Sequence, residues 1–251
     1  MRIGVPLSLY SKTENMPAKL NISYQASMLS LIKFGLSNTN PELFKYLYAE
    51  NRIKDFAISV FFPHAQFQGK TIVLGEKQNA IIYFSTNDMK LGLNFFNAFQ
   101  WLCSCKDRPF NSTLNVNVGR VFDVPVPTIT SERVIFKTMS PLVIRRQDGY
   151  FLSCVGNRVT EEYRTALKES VRVHQTSKAM QGLVDTLEFT PLNMKKTVMN
   201  PFGQYVEASV GTFELKGSPL LLNDILNSGL GGKRGSFAGM LGLVKEVEDD
   251  D

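Results

Sequence analysis

The chain has 251 residues, of which 43% are hydrophobic, and a formal net charge of +5. This composition suits one large or two modest globular domains and gives no sign of disorder. No apolar run approaches the roughly 20 residues that a membrane helix needs, and the N-terminus lacks the pattern of a signal peptide. Three cysteines, Cys103, Cys105 and Cys154, cannot build a disulfide framework or a four-cysteine zinc site, so we expect a cytoplasmic protein with free thiols.

The charge is unevenly distributed along the chain. Five of the 23 acidic residues lie among the last six positions, and without them 28 cations face 18 acids. Residues 1–245 therefore carry a net charge of +10, which indicates an anionic partner such as nucleic acid. The acidic end reads as a solvated tail, with competition against RNA for the basic surface as an alternative.

The N-terminal half begins with a strand in which every second residue is aliphatic, from Ile3 to Leu9. Helical spacing follows from Tyr24 to Leu36, and a break at Ser37–Asn40 caps a second helix that has Pro41 at its first position. Further strands are predicted at Phe56–Phe62, Thr71–Leu74, Ala80–Ser85 and Leu114–Val118. A helix capped within Ser85–Asn87 is predicted to bury Met89, Leu93, Phe96, Phe99 and Cys103.

Two prolines in Val124–Thr128 cannot lie in a central strand, so this segment marks a domain boundary. The predicted domains are residues 1–124 and 129–247, followed by the acidic tail, residues 248–251. The second half restarts with a strand at Val134 and Phe136. It continues with a helix capped by Thr160, a short strand at Leu187–Thr190, a strand at Tyr205–Leu215 with a bulge at Gly211, a short helix at Pro219–Asn227 and an apolar segment at Phe237–Val247.

Each half thus shows the element order βαββαβ. This order is typical of ferredoxin-like folds. The fold class predicted from the sequence is therefore α+β, with two ferredoxin-like (RRM-like) domains in tandem.

A glycine-rich loop follows the short C-terminal helix: Gly229, Leu230, Gly231, Gly232, Lys233, Arg234 and Gly235. Glycines permit close approach of a ligand to the backbone, and clustered amides can hold oxyanions. The loop is not a P-loop, because its Gly-Lys pair is followed by arginine and preceded by a helix, and it does not have the spacing of a dinucleotide-binding fingerprint. Two readings stay open: a grip on the RNA backbone, or a flexible turn.

The residues around this loop resemble a known family of RNA enzymes. Gly211–Gly217, the short leucine-rich helix and the glycine loop resemble the C-terminus of the CRISPR-associated endoribonucleases that cut precursor repeat RNA, members of the RAMP superfamily. Phe136 with Ser140–Leu142, and Phe61–Pro63 with the first helix pair, resemble other parts of the same family. The likeness spans nearly the whole chain.

The resemblance implies cleavage without metal or cofactor, in which the ribose 2′-hydroxyl attacks the adjacent phosphorus and leaves a 2′,3′-cyclic phosphate and a 5′-hydroxyl. It also implies CRISPR repeat RNA, and possible effector subunits, as partners. Such chemistry needs a base, an acid and a cation. The family's usual histidine position corresponds to Tyr48 here, and the following lysine corresponds to Lys54.

The catalytic candidates are therefore Tyr48, Lys54 and His64, a loop histidine whose ordinary pKa suits a base. Each has a plainer alternative: a core tyrosine, a solvated lysine and an exposed histidine. His174, at a helix end, is expected to have a capping or surface role. The predicted RNA contacts are Gly229, Gly231, Gly232, Lys233, Arg234, Gly235 and Arg52. A non-catalytic RNA-binding subunit stays open as the second function, because Tyr48 replaces the histidine.

Overall fold

The computed structural model describes residues 1–13, 18–50, 52–77, 79–175 and 177–247. The N-terminal half places a sheet against three helices. Its elements in chain order are β1 (Arg2–Ser11), β2 (Lys19–Asn21), α1 (Gln25–Thr39), α2 (Pro41–Tyr48), β3 (Phe56–Phe61), β4 (Gln66–Gln68), β5 (Thr71–Val73), β6 (Asn79–Thr86), α3 (Met89–Ser104), β7 (Arg108–Pro109), β8 (Leu114–Val118) and β9 (Phe122–Asp123).

The N-terminal sheet has the strand order β3-β6-β1-β8-β7, and β9 adds to β1. The pairs within it are antiparallel, so β1, β3, β6 and β8 form the four-stranded ferredoxin-like sheet. The predicted break between the first two helices is confirmed, because the Asn40 side chain accepts a hydrogen bond from the Leu43 amide at 2.9 Å and caps α2.

The C-terminal half repeats the arrangement. Its elements are β10 (Arg133–Thr138), β11 (Ile144–Arg145), β12 (Phe151–Leu152), α4 (Glu161–Arg172), α5 (Lys178–Asp185), β13 (Glu188–Met199), β14 (Val206–Lys216), α6 (Pro219–Ser228) and β15 (Leu241–Val247). The main sheet has the order β13-β14-β10-β15, which matches the N-terminal sheet strand for strand. The predicted α+β class with two tandem ferredoxin-like units is confirmed.

Several details differ from the sequence predictions. In α3 the buried face is formed by Leu91, Phe95, Ala98, Phe99 and Leu102, whereas Met89 and Leu93 are exposed. The pattern misled because apolar residues occur on both sides of this helix. Its cap is Asp88, which accepts from the Leu91 amide at 3.0 Å, rather than a residue of Ser85–Asn87.

The hairpin of β13 and β14 is longer than the sequence predicts. The predicted short strand extends to Met199, and the predicted bulge lies on this strand, where the register shifts between Pro191 and Asn193. Gly211 lies opposite, with φ 144°, and a Cβ there would meet the Asn193 carbonyl oxygen at 2.0 Å. The glycine therefore accommodates the bulge of its neighbour.

Two buried clusters form the cores. One draws its residues from positions 3–121 and also includes Phe237, and the larger cluster of the second half spans positions 129–241. Phe237 thus inserts from the C-terminal chain into the N-terminal core, which ties the glycine-rich segment to both halves.

The C-terminal end of α6 is where the two halves meet through hydrogen bonds. The Arg2 guanidinium donates to the Leu226 carbonyl at 2.7 Å and to the Ser85 hydroxyl at 3.1 Å, and that hydroxyl donates to the Asn227 carbonyl at 2.6 Å. Burial lowers the pKa of Arg2 to about 10, so it keeps its charge at neutral pH. Donors from the first domain therefore satisfy carbonyls that the helix end leaves open.

One residue of the acidic C-terminus, Glu246, forms hydrogen bonds within the fold. Glu246 accepts hydrogen bonds from the amides of Thr130 and Ser131, at 3.0 and 2.6 Å, so it belongs to the fold rather than to a solvated end. The predicted tail, residues 248–251, lies outside the described residues. No helix in the described ranges is long and apolar enough to cross a membrane.

Replacing Arg2 with methionine keeps an unbranched side chain but leaves the Leu226 carbonyl without its charged donor. We expect Arg2→Met to lower the free energy of unfolding by about 2 kcal/mol, measured by urea denaturation. Arg120→Met, at an exposed position, is the control and should change it by less than about 0.5 kcal/mol. Equal effects of both changes would contradict the role given to Arg2.

Candidate nucleic-acid interface

A groove of about 400 Å³ lies where the glycine loop of the second domain meets the start of β3 in the first. Cationic side chains enter it from both domains. Its lining residues are Arg52, Ile53, Lys54, Val143, Arg145, Phe151, Val173, His174, Gly232, Lys233, Arg234, Gly235 and Ser236. None of these is a carboxylate, so the charged side chains that line the described part of the groove are cationic.

The first domain contributes Arg52 and Lys54, which follow α2 in the chain. Arg52 pairs with Glu50 at 2.7 Å, and its guanidinium lies 4.7 Å from the Tyr46 ring centre. Burial, and next the charge of Lys33, lower the pKa of Lys54. An anion that approaches such a half-buried amine, close to a like charge, stabilises its charged form.

The second domain contributes Arg145, Lys233 and an aromatic ring between them in sequence. Arg145 lies 5.7 Å and Lys233 5.9 Å from the Phe151 ring centre. Burial, and next the charge of Arg145, lower the pKa of Lys233. Sequence analysis missed Arg145 and Phe151, because only the β11–β12 hairpin brings them beside the glycine loop.

Lys233 is held in the left-handed region, with φ 56°. A residue other than glycine, asparagine or aspartate is rare there and costs conformational free energy. The fold holds Lys233 in this conformation, half-buried in the groove wall. The conformation of the loop therefore fixes where this cation lies in the groove wall.

The glycines of the loop divide into two sets: Gly232 and Gly235 line the groove, whereas Gly229 and Gly231 are buried away from it, which corrects the expectation that all four form a surface for phosphate. Gly229, Gly231 and Gly235 are buried. A Cβ at Gly229 would lie 2.8 Å from Ala57 Cβ, and one at Gly235 would lie 2.5 Å from Lys54 Cδ, so these two glycines let the loop approach the first domain.

Gly231 and Gly232 instead pack against the residues that precede β11. At Gly231, φ is 82° and a Cβ would lie 2.6 Å from the Val143 carbonyl oxygen. That oxygen accepts a hydrogen bond from the Gly232 amide at 2.8 Å, so this amide is already used. Gly232 itself lines the groove and is half-buried.

Arg234 differs from its neighbour Lys233, and the expectation that both contact RNA needs correction. Its side chain is only 3% exposed. Its guanidinium donates to the Gly229 carbonyl at 3.1 Å and to the Lys54 carbonyl at 2.8 Å. Burial lowers its pKa to about 10. Arg234 therefore joins the loop to the first domain, because its two terminal nitrogens donate to protein acceptors.

His174 does not have the predicted surface or capping position. Its side chain is 13% exposed and its Nδ1 lies 3.7 Å from Asp55 Oδ1. The Arg234 guanidinium donates a short hydrogen bond to the same Nδ1. The histidine thus lies at the junction of the domains and lines the groove.

Tyr48 cannot serve as the expected base in this conformation. Its hydroxyl is buried and has no hydrogen-bond partner among the described residues, and burial raises its pKa well above the ordinary value. Lys33 and Lys54 lie 4.6 and 5.5 Å from its ring centre. The structure therefore favours the alternative of a core tyrosine, whose ring contacts the amines of Lys54 and Lys33.

His64 lies away from the groove. It lines a separate pocket with Pro63, Gln66, Gly75 and Lys77, among others, and this pocket shares no lining residue with the groove. The three catalytic candidates are therefore not brought together: Lys54 faces the groove, the Tyr48 hydroxyl is buried, and His64 is elsewhere.

Comparison with known families decides the identity of the second domain. Residues 124–243 match the family profile described as the C-terminal part of the CRISPR-associated protein Cas6. The C-terminal domain therefore belongs to the Cas6 family. This confirms the resemblance to CRISPR-associated RAMP proteins on which the sequence analysis relied.

Solved structures similar to this protein cover almost the whole length of the chain. A RAMP protein described as binding different RNA substrates has a TM-score of 0.78 at 18% identity, over 98% of this chain and 100% of the other. A Cas6-related protein from Pyrococcus furiosus has 0.75 at 15%, over 98% and 100%. A Thermus thermophilus Cas6 in a product complex has 0.63 at 17%, over 97% and 100%.

At these identities the likeness shows a shared fold. A search of curated proteins finds no match.

Two adjacent glycines test the packing role of the glycine-rich loop. Gly231→Ala should lower the free energy of unfolding by about 2 kcal/mol, because its backbone is left-handed and its Cβ would overlap a carbonyl oxygen. Gly232→Ala should change it by less than about 0.5 kcal/mol, since the nearest atom to its Cβ is 3.7 Å away. Thermal and urea unfolding measure both, and the reverse ranking would refute the assignment.

Proposed function

We propose that this protein binds CRISPR repeat RNA in the groove between its two domains. The observation that carries the proposal is the lining of that groove: Arg52 and Lys54 from one domain, and Arg145 and Lys233 from the other, with no carboxylate among the described lining residues. Arg52 also pairs with Glu50, but cations outnumber acids around the groove. An excess of cations attracts a polyanion, and phosphate contacts supply much of the affinity for nucleic acid.

The comparisons support RNA as the polyanion. The second domain is of the Cas6 family, one protein of the same fold is described as binding RNA substrates, and another was solved with its product. Phe151 adds an aromatic ring beside two cations, a combination that single-stranded nucleic-acid sites use for bases and backbone.

A second function, cutting of the bound RNA, is favoured by Lys54. The residue faces the groove and its pKa is lowered by burial and by Lys33, so it holds its proton less tightly than a free lysine. In the proposed reaction the 2′-hydroxyl loses its proton to solvent water and its oxygen attacks phosphorus, while the bond from phosphorus to the 5′-oxygen breaks. The 5′-oxygen leaves with a proton, and the products are a 2′,3′-cyclic phosphate and a 5′-hydroxyl. Lys54 would donate the proton that the 5′-oxygen takes as it leaves, and would regain a proton from solvent.

Removing groove charges should weaken RNA binding in a salt-dependent way. We expect Lys233→Gln and Arg145→Gln each to reduce the slope of log affinity against log salt concentration by about 1, measured by fluorescence anisotropy with the repeat RNA of the source locus. Lys195→Gln, at an exposed position of β13, is the charge-matched control. An unchanged slope in both groove variants would exclude the groove as the RNA site.

Cleavage is tested separately from binding. Incubation with the same repeat RNA in EDTA should give a product that ends in a 2′,3′-cyclic phosphate, identified by mass spectrometry. Lys54→Arg keeps the positive charge but not a removable proton, so it should retain binding and lose most cleavage. Tight binding by the wild-type protein with no product would leave the first function standing and reject the second.

A further inference from the structure

His174 is one of two histidines in the chain, and the other, His64, lies in a different pocket. His174 follows the end of α4, and its amide donates to the Val171 carbonyl at 3.0 Å. This turn directs the side chain toward the domain junction, where it lines the basic groove. It is the one histidine among the described residues that an RNA in the groove would meet.

Charged groups from three other elements act on this ring. Asp55, just before β3, lies 3.7 Å from Nδ1; Arg234, in the glycine loop, donates to the same nitrogen. Asp224, on α6, acts through its charge. The lysine and arginine of the first domain, Lys54 and Arg52, line the same groove.

In the free protein these neighbours favour neutral imidazole. Burial is the main cause that lowers the pKa of His174, and the charge of Arg234 adds to it, whereas Asp55 and Asp224 oppose both. Because Nδ1 accepts from Arg234, the ring hydrogen is on Nε2. The site is therefore balanced between two acids and a set of cations, and one further anion would change its charge state.

We infer that His174 is an RNA-phosphate contact of the groove that takes up one proton when RNA binds. The inference rests on the proposed binding of RNA in this groove. The proton comes from solvent and is placed on Nδ1, which then donates to Asp55 instead of accepting from Arg234. Arg234 keeps its bonds to the Gly229 and Lys54 carbonyls, so the domain junction is preserved.

The direction of the pH effect follows from linkage. Phosphate raises the affinity of His174 for a proton, so RNA must bind the protonated protein more tightly. RNA affinity should increase as pH falls through the pKa of the complex and level off below the pKa of the free protein. The largest slope for one proton is tenfold in affinity per pH unit.

The test uses repeat RNA with 2′-methoxy groups throughout, which lacks the attacking hydroxyl. Its affinity is measured from pH 5.5 to 8 for the wild-type protein, for His174→Asn and for His64→Asn. Asparagine offers Arg234 an oxygen close to the Nδ1 position but does not titrate in this range. Calorimetry in two buffers of different ionisation enthalpy counts the protons taken up.

The wild-type protein and His64→Asn should bind severalfold more tightly at pH 5.5 than at pH 8 and take up a fraction of a proton near pH 6.5. His174→Asn should show neither effect. Asp55→Asn, at a side chain that is 58% exposed, should move the transition to lower pH, and it provides a second variant if His174→Asn does not fold.

Wild-type pH dependence in His174→Asn, or wild-type binding without proton uptake, would overturn the inference. Either result is distinct from failure of the proposed function, which would appear as RNA affinity that does not respond to Lys233→Gln or Arg145→Gln.

Discussion

The hydrogen bonds that the C-terminal end of α6 accepts from the first domain form the contact on which the rest of this structure depends. A helix end leaves carbonyl oxygens without partners, and burying them unpaired is costly. Here Arg2 and Ser85 of the first domain donate to the carbonyls of Leu226 and Asn227, and Arg234 donates to that of Gly229. The domains are thus joined because carbonyls of the second domain accept hydrogen bonds from donors of the first. Since the glycine loop starts at this helix end, the junction also fixes where the loop lies.

The groove is a consequence of that junction. Arg234 extends the network to the Lys54 carbonyl and Asp55, and the glycines allow the loop to lie against Ala57, Lys54 and Val143. Lys233, between the buried Arg234 and the half-buried Gly232, is the residue of the loop left to carry charge into the groove. The glycine loop therefore has two roles. Its buried residues hold the domains together, and Lys233 lines the groove.

The fold was predictable because its signals are local. Alternating aliphatic residues and helix caps gave βαββαβ twice, and Asn40 and Pro41 marked a helix start that the structure contains. The site was only partly predictable. A glycine-rich sequence does not reveal whether its backbone faces a ligand or another domain, and here most of it faces a domain. Likewise, nothing near His174 in sequence indicates that Asp55 and Arg234 surround it, since these residues are 119 and 60 positions away. Tyr48 is a catalytic candidate only through the family resemblance, and the sequence alone does not reveal that its hydroxyl is buried.

The central claim is that RNA lies in the groove and touches both domains. Photocrosslinking of repeat RNA containing 4-thiouridine, followed by mass spectrometry of the linked peptides, tests it most directly. The account predicts crosslinks on both walls, in the peptide that carries Ile53 and Lys54 and in the peptides that carry Phe151 or Lys233. Crosslinks confined to one domain, or to the pocket around His64, would contradict it.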